Sequence, residues 1–151
     1  MFDLIVALVP GLPLAAALGN GVNALLGERY SWRVVQRVAS GSLLLSLLGS
    51  VWLFTQLLLD PTPREVVLYR WLVSGSLTVD VAFLIDSLSA VMMLVTTSIS
   101  FLIAIFSINY MHNERGFSRY FTVMPLFVFA MLVLVMGNSF ILLFLGWEGV
   151  G

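Results

Sequence analysis

The chain has 151 residues, of which 60% are hydrophobic and 10% are charged, with a formal net charge of −1. This composition is typical of an integral membrane protein, excludes an ordinary soluble domain and does not favour nucleic acid as a partner. The sequence contains no cysteine, no lysine and one histidine, His112, so disulfides, thiolate metal sites and multi-histidine metal or haem sites are excluded.

Two apolar runs at the start of the chain predict the first two membrane-spanning helices. The first covers roughly Leu4–Leu26 and the second roughly Val38–Leu59, with a polar loop at 27–37 between them. Each run repeats small or polar residues every four positions, a pattern that favours close approach of another helix. These residues are Gly11, Ala15, Gly19 and Asn23 in the first run, and Ser42, Ser46 and Ser50 in the second.

Residues 60–82 are the long stretch that does not resemble a membrane span. Apolar residues alternate with polar or small ones in Leu77–Phe83, Glu65–Val73 also favours a strand, and Ser74-Gly75 between them is typical of a turn. The pattern predicts a small β-hairpin outside the membrane.

Two further complete helices and part of a fifth are predicted after the hairpin. The third covers about Phe83–Tyr110, the fourth about Tyr120–Met136, and the fifth begins near Phe140. The fold class that follows is an all-α transmembrane helix bundle with four complete spans and half of a fifth, and a β-hairpin between helices 2 and 3. We treat 1–151 as a single membrane region. Because the sequence ends inside an apolar run, we expect a fragment or a chain completed by a partner.

The arginines predict the orientation in the membrane. Five lie in the loops predicted after helices 1 and 3, and two lie in the loop predicted after helix 2. Since arginine is enriched on the negative side of a membrane, the first group marks that side and the N-terminus lies on the opposite side. The first group is Arg29, Arg33, Arg37, Arg115 and Arg119, and the second is Arg64 and Arg70.

Glu148 is the leading candidate for a functional residue. In a helix that starts near Phe140, the last residue lies roughly 16–18 Å into a hydrocarbon core of about 30 Å, so Glu148 lies near the middle. A central acidic residue costs about 2.5–3.5 kcal/mol and is by default a functional hypothesis. A carboxylate that exchanges protons needs a cation or water nearby, and without lysine we expect that partner outside this sequence. The alternative is a protonated carboxyl that is hydrogen-bonded between helices.

Asp86, near the predicted start of helix 3, is a secondary candidate for the proton path. The favoured interpretation is that it caps the helix N-terminus, where the helix dipole stabilises a negative charge. We interpret Asn20 and Asn23 as packing hydrogen-bond donors and acceptors, and His112 as a solvated loop residue. The sequence has no phosphate-binding glycine loop, no nucleophile–base pair and no cofactor motif.

Three segments, taken in order, resemble one family. They are Leu84-Ile85-Asp86-Ser87-Leu88-Ser89, the stretch 110–121 and the stretch 138–151. They are similar to the N-terminal part of subunit L of NADH-quinone oxidoreductase, the antiporter-like membrane subunit of respiratory complex I, whose mitochondrial counterpart is chain 5. The ending Gly146-Trp147-Glu148-Gly149-Val150-Gly151 is the specific part of the resemblance.

The resemblance implies a role for Glu148. In the family, a glutamate on the fifth helix pairs with a lysine on the seventh and takes part in proton translocation coupled to quinone reduction. By position Glu148 is that glutamate, and the subunit is a non-redox part of the enzyme. The chain would bind no cofactor or metal itself, since NADH, FMN, iron–sulfur clusters and quinone belong to other subunits. We expect the chain alone to be inactive.

The implied partners are the antiporter-like M- and N-type subunits and the lipid bilayer, in a bacterial inner membrane or a mitochondrial inner membrane. Two alternatives stay open. One is a truncated, non-pumping membrane scaffold or assembly protein, which would be indifferent to loss of the Glu148 charge. The other is the equivalent part of a sodium/proton antiporter subunit, in which transport would depend on sodium.

Overall fold

The computed structural model describes residues 1–27, 29–74, 77–112, 114 and 116–151. Four helices in this described part are long and apolar enough to cross a membrane, and a fifth apolar helix is shorter. The elements are α1 (Phe2–Leu25), α2 (Trp32–Leu59), β1 (Arg64–Ser74), β2 (Leu77–Ile85), α3 (Ser87–Tyr110), α4 (Phe117–Met136) and α5 (Phe140–Val150). The all-α membrane bundle with a hairpin between helices 2 and 3 is confirmed, and the chain is an integral membrane protein.

Helix α4 is the central element of the bundle. It packs against α1, α2, α3 and α5, whereas α5 packs mainly on α4. Apolar side chains from all of these helices form one continuous core, which extends to the hairpin through Phe83 and Ile85. Fully buried members include Val9, Leu43, Met93 and Leu132.

Buried polar side chains join the helices. The Ser46 hydroxyl on α2 donates a 2.6 Å hydrogen bond to the Val9 carbonyl on α1. All three serines of the predicted α2 stripe are buried, so the prediction of a packing face on this helix is confirmed. The α1 stripe differs, because Ala15 and Gly19 are exposed and no described helix covers them. Helix α1 instead turns the neighbouring face, which carries Ala16 and Asn20, toward the bundle.

The hairpin is a two-stranded antiparallel sheet that runs from Arg64↔Ile85 to Ser74↔Leu77. Its register shifts twice, between Val67 and Tyr69 and again between Arg70 and Leu72. Each shift adds a residue to β1 and increases the twist of the ribbon. The predicted hairpin is therefore confirmed and is longer at both ends, whereas part of its predicted turn lies outside the described residues. Its position outside the membrane stays a prediction.

Helix α4 begins at Phe117, three residues before its predicted start, so Arg119 lies on its first turn and not in a loop. Two further predicted boundaries are wrong. Helix α2 begins at Trp32, so Arg33 and Arg37 lie on its first turns and not in a loop. Arginine is a good helix former, and its long side chain can reach the membrane surface from within a span. Helix α3 begins after Asp86, because the residues before it continue strand β2. Neither change moves an arginine to the other end of the bundle.

Candidate functional site

Helix α5 is fixed at its start and along one face. The Ser139 hydroxyl accepts a 3.2 Å hydrogen bond from the Leu142 amide, which caps the helix N-terminus. Gly146 is buried against α4, and a Cβ placed on it would lie 2.6 Å from the Leu134 backbone nitrogen. Gly149 is also close to α4, since a Cβ placed on it would lie 2.9 Å from the Cβ of Ala130. These two glycines therefore permit the close packing of α5 on α4.

Glu148 lies on a different side of α5 from that contact. It is eight residues beyond Phe140, which places it about 12 Å along the helix axis. Its side chain is exposed and makes no hydrogen bond or ion pair with any residue that the structure describes. The alternative of a carboxyl hydrogen-bonded between helices is therefore not found within this part of the chain. The arrangement leaves an acidic group on an apolar helix, facing away from the other described helices.

Asp86 has a structural contact of its own. Its carboxylate accepts a 2.8 Å hydrogen bond from the Ser89 amide, and the Ser89 hydroxyl accepts one of 2.8 Å from the Asp86 amide. This reciprocal pair is a capping box that satisfies donors at the start of α3. The capping interpretation of Asp86 is confirmed. No hydrogen bond or ion pair joins Asp86 to Glu148 in the described structure.

The turn that leads into α5 is held by the hairpin. The Asn138 side-chain amide donates a 2.7 Å hydrogen bond to the Glu65 carboxylate on β1. The Asn138 backbone amide donates a second bond, of 3.0 Å, to the Ala82 carbonyl on β2. Gly137 also forms an isolated antiparallel bridge with Phe83. Sequence reasoning missed this link, because Glu65 and Asn138 are 73 positions apart and no local pattern connects them.

An apolar cavity of about 620 Å³ lies between α1, α4 and α5 and is bordered by the hairpin. Gly11 lines it from α1, Val81 from the hairpin, and Gly146 and Gly149 from α5. The glycines of both helices therefore open onto one space. Among the described residues that line it there is no carboxylate, histidine or arginine, and Tyr69 on β1 supplies a phenol.

The other polar candidates have packing roles. The Asn20 amide on α1 donates to the Val35 carbonyl on α2 at 3.1 Å and to the Phe121 carbonyl on α4 at 3.0 Å. The interpretation of Asn20 as a packing residue is confirmed. His112 is exposed, as predicted, and its ring packs edge-on against Trp32 with centroids 4.5 Å apart. Among the described residues, no group of three histidine, aspartate or glutamate side chains could hold a metal ion.

Comparison with known proteins shows that this chain is similar to one family. Residues 71–121 match the family model for the N-terminus of NADH-ubiquinone oxidoreductase (complex I) chain 5. The chain is 34% identical over all its 151 residues to NADH-quinone oxidoreductase subunit L of Rickettsia conorii, of which it covers 22%. It is 49% identical over 84 residues, 55% of this chain, to the subunit L of Neisseria meningitidis, of which it covers 12%.

The fold has a counterpart among solved structures. A chain of the membrane-bound sulfane sulfur reductase, an archaeal respiratory membrane complex, superposes with a TM-score of 0.79 at 21% identity. The match covers 97% of this chain and 28% of that chain. The curated relatives described above are more than four times as long as this chain. With the Glu148 segment, the capped start of α3 and the hairpin in place, the chain belongs to the family of NADH-quinone oxidoreductase subunit L and NADH-ubiquinone oxidoreductase chain 5.

Proposed function

We propose that the chain is part of the membrane arm of a proton-translocating NADH:quinone oxidoreductase, to which it contributes Glu148 as a proton-carrying group. One observation carries the proposal, namely that Glu148 lies about 12 Å along an apolar helix and has no partner among the described residues. An ionisable residue at that depth is costly and is found mainly where protons or ions move.

The charge of Glu148 requires a partner from another helix. A carboxylate in a membrane is stabilised by a cation or by water, and either would lower the cost of its ionised form. The sequence has no lysine, and none of the described arginines forms an ion pair with Glu148. Outward exposure of the side chain is consistent with a lysine supplied by a helix outside this sequence. Loss of that ion pair would favour proton uptake by Glu148, and its recovery would favour proton release.

The proposed role is not a redox role. Hydride and electron transfer require NADH, FMN, iron–sulfur clusters and quinone, which we assign to other subunits of the same complex. The partners we propose are the antiporter-like M- and N-type subunits and the surrounding lipid, in a bacterial inner membrane or a mitochondrial inner membrane. Protons are the proposed transported ion.

The test is the pair of variants Glu148→Gln and Glu148→Asp in the assembled complex. Inverted membrane vesicles are supplied with NADH, and proton uptake is measured together with quinone reduction. We expect Glu148→Gln to lower the number of protons moved per electron, with the Asp variant closer to wild type because it keeps a titratable carboxyl. Equal proton uptake in all three would contradict the proposal.

The same vesicles separate the two other interpretations. A membrane scaffold without a pumping role predicts a fully assembled complex and unchanged proton uptake in Glu148→Gln. A sodium/proton antiporter subunit predicts that uptake depends on sodium in the buffer. We expect assembly to be retained, and proton uptake to be insensitive to the replacement of sodium by potassium.

A further inference from the structure

A second cavity lies at the opposite end of the bundle from the hairpin. It has a volume of about 430 Å³ and lies beside the end of α1 and the residues that follow it. Its apolar wall comes from α1, and its polar residues lie at the membrane boundary predicted from the arginines. The residues that matter are Leu18, Val22, Asn23, Leu26, Arg29 and Tyr30.

Asn23 leaves an unpaired donor at this cavity. The residue is only 2% exposed, and its side-chain oxygen accepts a 2.9 Å hydrogen bond from the Tyr30 amide. That bond fixes the orientation of the side-chain amide, because only the oxygen can accept. The amide nitrogen is buried and has no hydrogen-bond partner. A buried donor without an acceptor costs about 1–3 kcal/mol, so an acceptor that reached this nitrogen from the cavity would be stabilising.

Arg29 makes the cavity suitable for an anion. Its guanidinium forms no ion pair with any residue that the structure describes. Arg29 and the Asn23 nitrogen offer only hydrogen-bond donors, and the Tyr30 hydroxyl can add another. A guanidinium with further N–H or O–H donors matches the oxygen atoms of a phosphate group. Among the residues that the structure describes, the polar part of the cavity carries no negative charge, and a phosphodiester supplies a negative charge and acceptor oxygens.

The apolar wall identifies the source of that phosphate. Leu18 and Val22 are 60% and 54% exposed, and they continue along α1 from the cavity toward the membrane interior. A free phosphate ion would gain no binding energy from such an apolar surface, whereas lipid acyl chains would cover it. The negative side of the membrane also carries anionic lipids, which bind to basic pockets between helices.

We infer that this cavity binds the phosphodiester headgroup of one anionic phospholipid, with Arg29 and the Asn23 amide on its oxygens and its acyl chains along Leu18 and Val22. The inference does not depend on the role of Glu148. The competing occupant is a carboxylate from a neighbouring protein helix, which would satisfy the same donors without a lipid.

The test is native mass spectrometry of the assembled complex, released in mild detergent and supplied with phosphatidylglycerol or phosphatidylcholine. The variants are Arg29→Gln and Asn23→Leu, and the control is Arg33→Gln. Arg33 lies at the same end of the bundle, stacks over the Trp32 ring at 5.3 Å and does not line the cavity. We expect Arg29→Gln to retain one phosphatidylglycerol fewer than wild type, and Arg33→Gln to retain the wild-type number.

Four results would overturn the inference. They are unchanged phosphatidylglycerol in Arg29→Gln, an equal loss in Arg33→Gln, equal retention of phosphatidylcholine, and displacement of the lipid by excess inorganic phosphate. A fifth result would also overturn it, namely a crosslink from residue 29 to an acidic residue of another subunit in place of a bound lipid, which would assign the cavity to a protein carboxylate. Because Asn23 also holds the Tyr30 amide, only a correctly assembled Asn23→Leu complex is compared, and Arg29→Gln decides if that variant does not assemble.

Discussion

Asn138, in the turn before α5, donates a 2.7 Å hydrogen bond from its side-chain amide to the Glu65 carboxylate on the hairpin. A backbone bond from the same residue to Ala82 reinforces the contact. Helix α5 begins two residues later, so the contact with the hairpin fixes the position of the N-terminus of the helix that carries Glu148. The position of the Glu148 helix in the bundle thus depends partly on a contact between Asn138 and a residue 73 positions before it in the chain.

Removal of this contact should loosen the start of α5. For Glu65→Ala we expect a loss of about 0.5–1.5 kcal/mol in the free energy of unfolding, near the lower end because the bond is exposed. Hydrogen exchange of the α5 amides should become faster. Glu65→Gln keeps an acceptor oxygen and is the matched control, so exchange in that variant should stay close to wild type. Identical exchange in the Ala variant and wild type would show that the side-chain bond does not hold the turn.

A side chain at Gly146 should displace α5 from α4. A Cβ there would lie 2.6 Å from the Leu134 nitrogen, so Gly146→Ala forces backbone atoms apart. We expect a destabilisation of about 1–3 kcal/mol, the usual cost of overpacking. Gly41→Ala on α2 is the control, because nothing lies within 4 Å of its added Cβ. That variant should be neutral or up to about 1 kcal/mol more stable, since alanine favours a helix over glycine. Thermal unfolding in detergent measures both.

Asn20 should be the most sensitive polar residue within the bundle. Asn20→Leu removes two hydrogen bonds that join α1 to α2 and α4, and it leaves the Val35 and Phe121 carbonyls without that donor. Interhelical hydrogen bonds in membranes average about 0.6 kcal/mol with a maximum of about 1.7, so we expect a loss of about 1–3 kcal/mol. Ser98→Ala, which removes bonds only to carbonyls of its own helix, should have a much smaller effect. Unfolding by increasing denaturing detergent provides the comparison.

The hairpin base should show a dependence of stability on acid. Hydrogen bonds from the side chains of Thr62 and Arg64 hold the pKa of Asp60 below its usual value. A carboxyl whose pKa is lower in the folded state stabilises the fold above the unfolded pKa, and that contribution is lost as pH falls through the folded pKa. We therefore expect wild type to lose stability below about pH 4. Asp60→Asn should flatten this part of the profile, whereas an unchanged profile would assign the acid sensitivity to another group.

Much of the fold could be predicted from hydropathy and turn residues, because four long apolar runs have few alternatives in a membrane. The start of α2 could not be predicted in this way. Arg33 and Arg37 resemble loop residues in sequence, and yet they suit the first turns of a helix near the membrane surface. The direction of the α1 packing face was also hidden, because small residues occur on more than one side of that helix.

The residues of the candidate site could be predicted from the sequence, but their spatial arrangement could not. A lone acid in an apolar run identifies Glu148, and the Asp86–Ser89 spacing indicates a cap. Helix α5 is apolar on nearly every side, so periodicity cannot show which side Glu148 occupies. Only the packing of Gly146 and Gly149 on α4 fixes it. The Glu65–Asn138 bond depends on the register of a twice-shifted hairpin, which no local pattern encodes.

A change in the protonation of Glu148 during turnover can be observed directly by infrared spectroscopy. Infrared difference spectra are recorded on the assembled complex before and after NADH is added, for wild type and for Glu148→Gln. If Glu148 carries protons, wild type should show a change in the carboxylic C=O stretching region that is missing in the variant. The same carboxyl signal in both proteins, or none in either during full turnover, would contradict a proton-carrying role for Glu148.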